Sequence, residues 1–139
     1  MLQLEHLNLV VKDIEASVDF YLTAFPHWKI RGQGTGEWFG KARRWLHIGD
    51  DFQYLTLNDD GEDDIRSHTG HQVGVSHFAF VTNNLEVIRK RLIDAGYPLF
   101  SEGNPTDYRK NVYFLDPAGF EVEFVEYLTD QPALRNQYV

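Results

Sequence analysis

The stretch "EHLNLVVKDIEASVDFYLTA" (residues 5–24) and the stretch "SHFAFVTNNLEVIRKRLIDA" (residues 76–95) decide the architecture once one is written above the other. A constant offset of 71 residues places His6 on His77, Asp13 on Asn84, Ile14 on Leu85 and Ala24 on Ala95. Few residues are identical, but their classes agree. Self-similarity at a fixed offset signals one supersecondary unit used twice. Each copy opens with apolar residues at a period of two, over about 2–11 and 74–81, which predicts a strand.

A helix follows in each copy. Asp13 and Asn84 are residue types that accept hydrogen bonds from the free N–H groups of a first helical turn. Ile14, Val18, Tyr21, Leu22 and Phe25 then recur at helical spacing, as do Leu85, Ile88, Leu92 and Ala95. Gly96 supplies a C-terminal stop. Strand-like runs come next, at about 28–32, 42–48 and 52–57 in the first half and 97–100, 111–115 and 120–127 in the second. "GDD" (49–51) and "DPAG" (116–119) read as the turns joining the last two runs of each half. The order is βαβββ twice. Module one covers about 1–58, an acidic linker about 59–72, module two about 73–127 and a tail 128–139, all within one domain. In the tail, "PALRNQY" suggests a short helix that covers an edge or reaches a partner chain.

Composition narrows the function classes. With 42% apolar residues and 10 Phe, 7 Tyr and 3 Trp, the chain can pack an aromatic-rich interior. A net charge of −8, with no basic cluster beyond "KARR" (41–44) and "RKR" (89–91), argues against nucleic acid. No apolar run approaches the roughly 20 residues of a membrane span, and "MLQLEHLNLV" does not read as a signal peptide, so cytoplasm is the expectation. The absence of cysteine removes disulfides, thiolate ligands and a cysteine nucleophile. "NDDGEDD" (58–64) reads as a solvated connector, because it lacks the spacing of an EF-hand. "RGQGTGEWFGKARR" (31–44) lacks the Gly-Lys-Ser/Thr of a phosphate loop. It reads either as a hairpin connection or as a flap, with Trp38 and Phe39 at its tip and Arg43 and Arg44 reaching an anionic substrate.

"YFLDPAGFEVEFVE" (113–126) is close to an aromatic-x-x-Asp-Pro-x-Gly-x-x-x-Glu ending, and "HLNLVVKDIEASVDFY" (6–21) is a second match. Over about 1–127 the chain resembles the vicinal oxygen chelate superfamily, which includes glyoxalase I, bleomycin-resistance proteins, fosfomycin-resistance enzymes and type I extradiol dioxygenases. The resemblance implies an α+β fold of two paired βαβββ modules forming a curled mixed sheet around a cleft. It also implies a divalent metal in that cleft, a small-molecule substrate and a homodimer.

Carried across position by position, the resemblance assigns the metal ligands to His6, His77 and Glu123. The strand period supports the last independently. Phe120, Val122 and Phe124 occupy one face, so Glu121 and Glu123 point to the other. Glyoxalase I has a further glutamate on the last strand of its first module; here that strand, "FQYLTLN" (52–58), has no acid. Leu55 and Leu57 read as its core face, which turns Phe52, Tyr54 and Thr56 to the cleft. Tyr54 is the best match for the missing acid, with Thr56 one pair further along. Gln53 has the wrong parity unless a bulge intervenes.

Two imidazoles and one carboxylate leave open positions on a metal and accept Fe, Mn, Ni or Zn, without selecting among them. Glu123 and Tyr54 are the expected catalytic groups. Asn111 and Tyr113 occupy places that resemble phosphonate-contacting residues of the fosfomycin branch, and Trp38 and Arg109, with Tyr108 and Lys110, are further candidate substrate contacts. His68 and His71 read as solvated linker residues, and His47 as a strand residue that could line the cleft; His27 has no assigned role. The expected activity is a metal-dependent, glyoxalase-like lyase or isomerase acting on an oxygen-chelating substrate. The alternatives are a small extradiol-type dioxygenase and a non-catalytic ligand-binding protein of the bleomycin-resistance type, walled by Trp38, Phe39 and Trp45.

Overall fold

The computed structural model describes residues 1–138, which divide between Asp64 and Ile65 into two compact units. The first contains β1 (His6–Val10), α1 (Ile14–Ala24), β2 (Lys29–Trp38), β3 (Lys41–Gly49) and β4 (Tyr54–Asn58). The second contains β5 (Phe78–Val81), α2 (Leu85–Asp94), β6 (Leu99–Glu102), β7 (Arg109–Leu115), β8 (Glu121–Tyr127) and the short α3 (Pro132–Arg135). Each unit is therefore βαβββ. Each builds one four-stranded mixed sheet, ordered β1-β4-β3-β2 in the first and β5-β8-β7-β6 in the second. In both, the first strand pairs in parallel with the last and the remaining pairs are antiparallel. The fold class is α+β, as expected.

The helices start where their caps dictate. Asp13 accepts from Ala16 N at 3.2 Å and Asn84 from Val87 N at 3.3 Å, satisfying one free donor in each first turn. The first N–H of each helix is satisfied from the end of its sheet: Ile14 N donates to Asp59 at 3.2 Å and Leu85 N to Glu126 at 2.9 Å. Gly96, with φ of 95°, ends α2 in a conformation that favours glycine. In the first unit Ile14, Val18, Phe20 and Tyr21 of α1 and Leu46, Ile48, Leu55 and Leu57 of the strands are buried as its core. In the second unit Leu85, Ile88 and Leu92 are buried with Val112, Phe114, Val122 and Phe124. The opposite face of each sheet carries the polar and aromatic residues.

Several boundaries differ from expectation. β1 begins at His6 rather than near residue 2, and Leu2 and Leu4 are exposed; β5 begins at Phe78, with Val73 and Val75 exposed ahead of it. Alternating apolar residues cannot by themselves show whether a backbone partner exists. The glycine-rich stretch is strand through Trp38, turning at Phe39 and Gly40 (φ 51° and 78°), which makes it a hairpin. Arg43 is drawn inward to Asn58 and lies 4.7 Å over the Trp38 ring, while Arg44 pairs with Glu15 and Gln33. Neither arginine reaches outward as a flap would need. The acidic stretch is also more than a solvated connector. Gly61 N donates to Val11 O at 2.8 Å, and Lys41 bonds both Asp60 O and Glu62.

Both sheets carry the same irregularity. The register shifts between Ile30 and Gly32 in β2 and between Leu99 and Ser101 in β6, leaving Arg31 and Phe100 as the extra residues.

Candidate functional site

Register places the polar residues of the second sheet. Glu123 pairs with Ala79 on β5 and Tyr113 on β7, and alternation sends Glu121 and Glu123 to the face opposite Val122 and Phe124. His77 lies just before β5, on the side of Ala79. Its Nε2 is 3.1 Å from Glu123 Oε2, and its Nδ1 is 4.0 Å from Glu121 Oε2. Glu123 is 7% exposed, and its other oxygen, Oε1, accepts from Asn111 Nδ2 at 2.9 Å. Tyr113 sets its ring edge-on to His77, with centroids 5.5 Å apart. Burial, and then the charge of Glu123, raises the Tyr113 phenol above its ordinary value, so it stays protonated and can donate. Arg109 lies on the same side of β7, and its charge acts on Tyr113 in the opposite sense. Lys110 points the other way, to Glu126 at 3.2 Å, so its place as a substrate contact is not supported. Tyr108 anchors the segment just after β8 through its carbonyl, which accepts from Leu128 N at 2.8 Å.

The turn before β8 fixes where Glu123 falls. Asp116 is buried and accepts from Ala118 N at 3.0 Å and Phe120 N at 2.9 Å. Gly119 takes φ of 98°, where a side chain would be strained and would press on Ile65.

The corresponding face of the first unit is different chemistry. His6 pairs with Tyr54 across β1–β4 and stacks on it, with centroids 4.7 Å apart and an interplanar angle of 13°. His47 stacks near the same ring at 4.7 Å, and Trp45 follows His47 at 5.2 Å. The Arg31 guanidinium lies 4.2 Å from the Tyr54 centroid. Glu5 bonds His6 Nδ1 at 2.9 Å and the Tyr54 hydroxyl at 3.3 Å. Burial and then the Glu5 charge raise the Tyr54 phenol. Burial, then the charges of Arg31 and His6, lowers His47 and favours a neutral imidazole.

Comparing the two registers corrects one expectation. His6 faces Tyr54, as His77 would face Glu121; Asn8 faces Thr56, as Ala79 faces Glu123. Thr56, not Tyr54, therefore holds the place equivalent to Glu123. By the same comparison His47 stands where the second unit has Tyr113. Sequence reasoning undervalued His47, although the parity of "RRWLHIG" (43–49), with Leu46 and Ile48 buried, already sets it on the polar face. Arg31 was hidden by the bulge, which breaks the period of two. Trp38 lies at the hairpin end, 5.1 Å from Phe39, and lines a hollow of about 370 Å³ with Val10, Arg43, Asp59 and Glu62. His68 is not simply solvated: its ring packs 5.4 Å from Phe100.

Within either unit, no three His, Asp or Glu side chains among the described residues converge as a metal-holding group. His77 and Glu123 nonetheless suit one. Two donors bound side by side to an ion, each about 2.1 Å away, lie about 3 Å apart. The 3.1 Å separation of Nε2 and Oε2 meets that condition, and nitrogen with carboxylate oxygen is a donor set for divalent cations.

The Glyoxalase/Bleomycin resistance protein/Dioxygenase superfamily matches residues 3–124. No curated protein matches. Among solved structures, a glyoxylase/bleomycin resistance protein/dioxygenase domain from Frankia sp. EAN1pec aligns with a TM-score of 0.75 at 20% identity, covering 94% of this chain and 96% of that one. A glyoxalase family protein from Enterococcus faecalis aligns at 0.67 and 19%, covering 91% and 97%. The fosfomycin resistance protein FosX from Listeria monocytogenes, complexed with Mn(II) and sulfate, aligns at 0.65 and 16%, covering 91% and 93%.

Proposed function

Because the chain belongs to the Glyoxalase/Bleomycin resistance protein/Dioxygenase superfamily, we propose that it is a metal-dependent, glyoxalase-like lyase or isomerase acting on a small oxygen-chelating substrate. The observation that carries this reading is the contact of His77 Nε2 with Glu123 Oε2 at 3.1 Å on a polar sheet face. The Mn(II) held by the Listeria protein supports a divalent ion here. His6 is the third ligand of the proposal, on the family's pattern alone.

When bound, such an ion polarises a substrate oxygen and favours the developing enolate or alkoxide. The chain's own groups do the rest. Glu123 is held at both oxygens, by Asn111 and His77, so its position is set before substrate arrives. Glu123 is also the proton carrier of the proposal, on the family's pattern, through Oε2, the oxygen that Asn111 does not engage. Tyr113, protonated, donates to a substrate oxygen, and Arg109 offers a charge to an anionic substituent further along β7. Tyr54, whose phenol is raised, serves as a donor rather than as a base near neutral pH. The assembly in this reading is a homodimer, tested by light scattering; the mass of a single chain would remove that part.

The stacked rings of His6, Tyr54 and His47, with Trp45 tilted against His47, favour a second reading, non-catalytic capture of an aromatic ligand. One experiment separates them. Protein loaded with Mn(II), Fe(II), Ni(II) or Zn(II) is offered small hydroxyketones in D2O, and carbon–hydrogen exchange is followed by NMR. Exchange that requires the loaded metal, being absent from the metal-free parent and from Glu123→Gln, supports the lyase or isomerase. Oxygen uptake with a catechol, without exchange, would replace it with the dioxygenase. Metal-free protein that binds an aromatic probe and turns over nothing would leave the second reading.

A further inference from the structure

Asn111 is 5% exposed, less open than the carboxylate it serves. Its Nδ2 donates to Glu123 Oε1 at 2.9 Å, while its Oδ1 is buried with no hydrogen-bond partner. A side-chain amide can present either end to a neighbour, and only the NH2 end satisfies a carboxylate. The carboxylate thus decides the direction, and the backbone of Gly103 confines the amide that presents it. Gly103 N donates to Asn111 O at 3.1 Å, and a Cβ at Gly103 would overlap Asn111 Oδ1 and Cγ. The glycine thus lets the main chain close on the amide from behind and fix its rotation. Leaving Oδ1 unsatisfied costs free energy, and the hydrogen bond to Glu123 is what that cost maintains. Tyr113 OH, 3.4 Å from Nδ2, adds a second contact to the same NH2 group.

We propose that Asn111 is a positioning residue: together with Gly103 it engages Glu123 Oε1 and leaves Oε2 as the one oxygen turned to His77 and a bound ion. The inference rests on the metal reading above and goes beyond it, because it removes Asn111 from substrate contact and gives it the task of setting the carboxylate. Groups that orient a ligand in this way commonly contribute 10–100-fold to metal affinity. Thr56, which holds the equivalent place in the first unit, faces His47 and Asn8 across the sheet, so this arrangement belongs to the second unit.

Two variants test it. Asn111→Leu keeps the volume and removes the donor; Gly103→Ala keeps the amide and displaces it. Each is titrated with Mn(II) and Zn(II) against a chelating dye, and each apo form is melted to confirm that it folds. Affinity about 10–100-fold weaker in a folded variant, with the stoichiometry of the parent chain, supports the positioning role. Parent-like affinity in either folded variant overturns it while leaving the metal reading intact. A parent chain that takes up neither ion overturns both.

Discussion

Tyr54 stands between the chemistry expected of it and the chemistry its neighbours permit. Its hydroxyl reaches Glu5 at 3.3 Å and its ring is packed by His6 and His47, so its bonds are local to the first unit. Tyr54→Phe should leave metal uptake unchanged and shift the denaturant unfolding midpoint little, because its one side-chain hydrogen bond, to Glu5, is exposed. Loss of metal would make it a ligand. His47 provides a second residue-level check. Burial, the larger cause, and Arg31 both hold its imidazole below the ordinary histidine value. In Arg31→Gln its NMR titration midpoint should rise yet stay below that value; an unchanged midpoint would show that the guanidinium is screened. The parity of Glu123 and His47 could be read from sequence because a strand alternates strictly. The packing of Arg31 could not, because a bulge has no signature in a run of Lys-Ile-Arg-Gly.

Elements repeat more closely than residues do. Asp59 and Glu126 each follow the last inward strand position and accept the first N–H of the unit's helix, although the two residues differ in type and length. Asp59→Ala should destabilise the protein by roughly 0.5–2 kcal/mol, as removal of a helix N-terminal acceptor does. An unfolding midpoint identical to that of the parent would show that water replaces the carboxylate. The turn at Asp116 is a stronger case, with two backbone donors on one buried oxygen. Asp116→Ala strands both and should cost about 1–3 kcal/mol. Here the sequence motif and the structure agree, since Asp-Pro-x-Gly specifies a turn by its chemistry. The Asp59 and Glu126 caps were not readable, because they join residues 45 and 41 positions apart.

For the whole molecule, the repeated strand–helix pattern was enough to show two βαβββ units and the α+β class, since burial of one sheet face imposes the same periodicities on both. Strand ends were less readable because pairing is a property of the partner strand. Stability should fall on both sides of neutrality. The charge partners of Glu5 and Glu102, the His6 bond and the Arg89 bond first among them, lower both carboxyls, so their contribution is present above the ordinary carboxylate range and is lost as pH falls through their folded values. His47, lowered mainly by burial, works in the same direction below the ordinary histidine value. Tyr54 and Tyr113, raised mainly by burial, withdraw stability as pH climbs past the ordinary tyrosine value. A denaturation midpoint that does not decline at both ends would contradict these assignments. Elemental analysis of protein purified without chelator or affinity-tag metal, with His6→Ala, His77→Ala and Glu123→Gln beside the parent, tests directly whether the second sheet holds the proposed ion. Near one equivalent of Fe, Mn, Ni or Zn per chain, lost in all three variants while their far-ultraviolet spectra stay unchanged, is the predicted result; metal retained in His77→Ala and Glu123→Gln would show that the ion, and with it the proposed chemistry, belongs elsewhere.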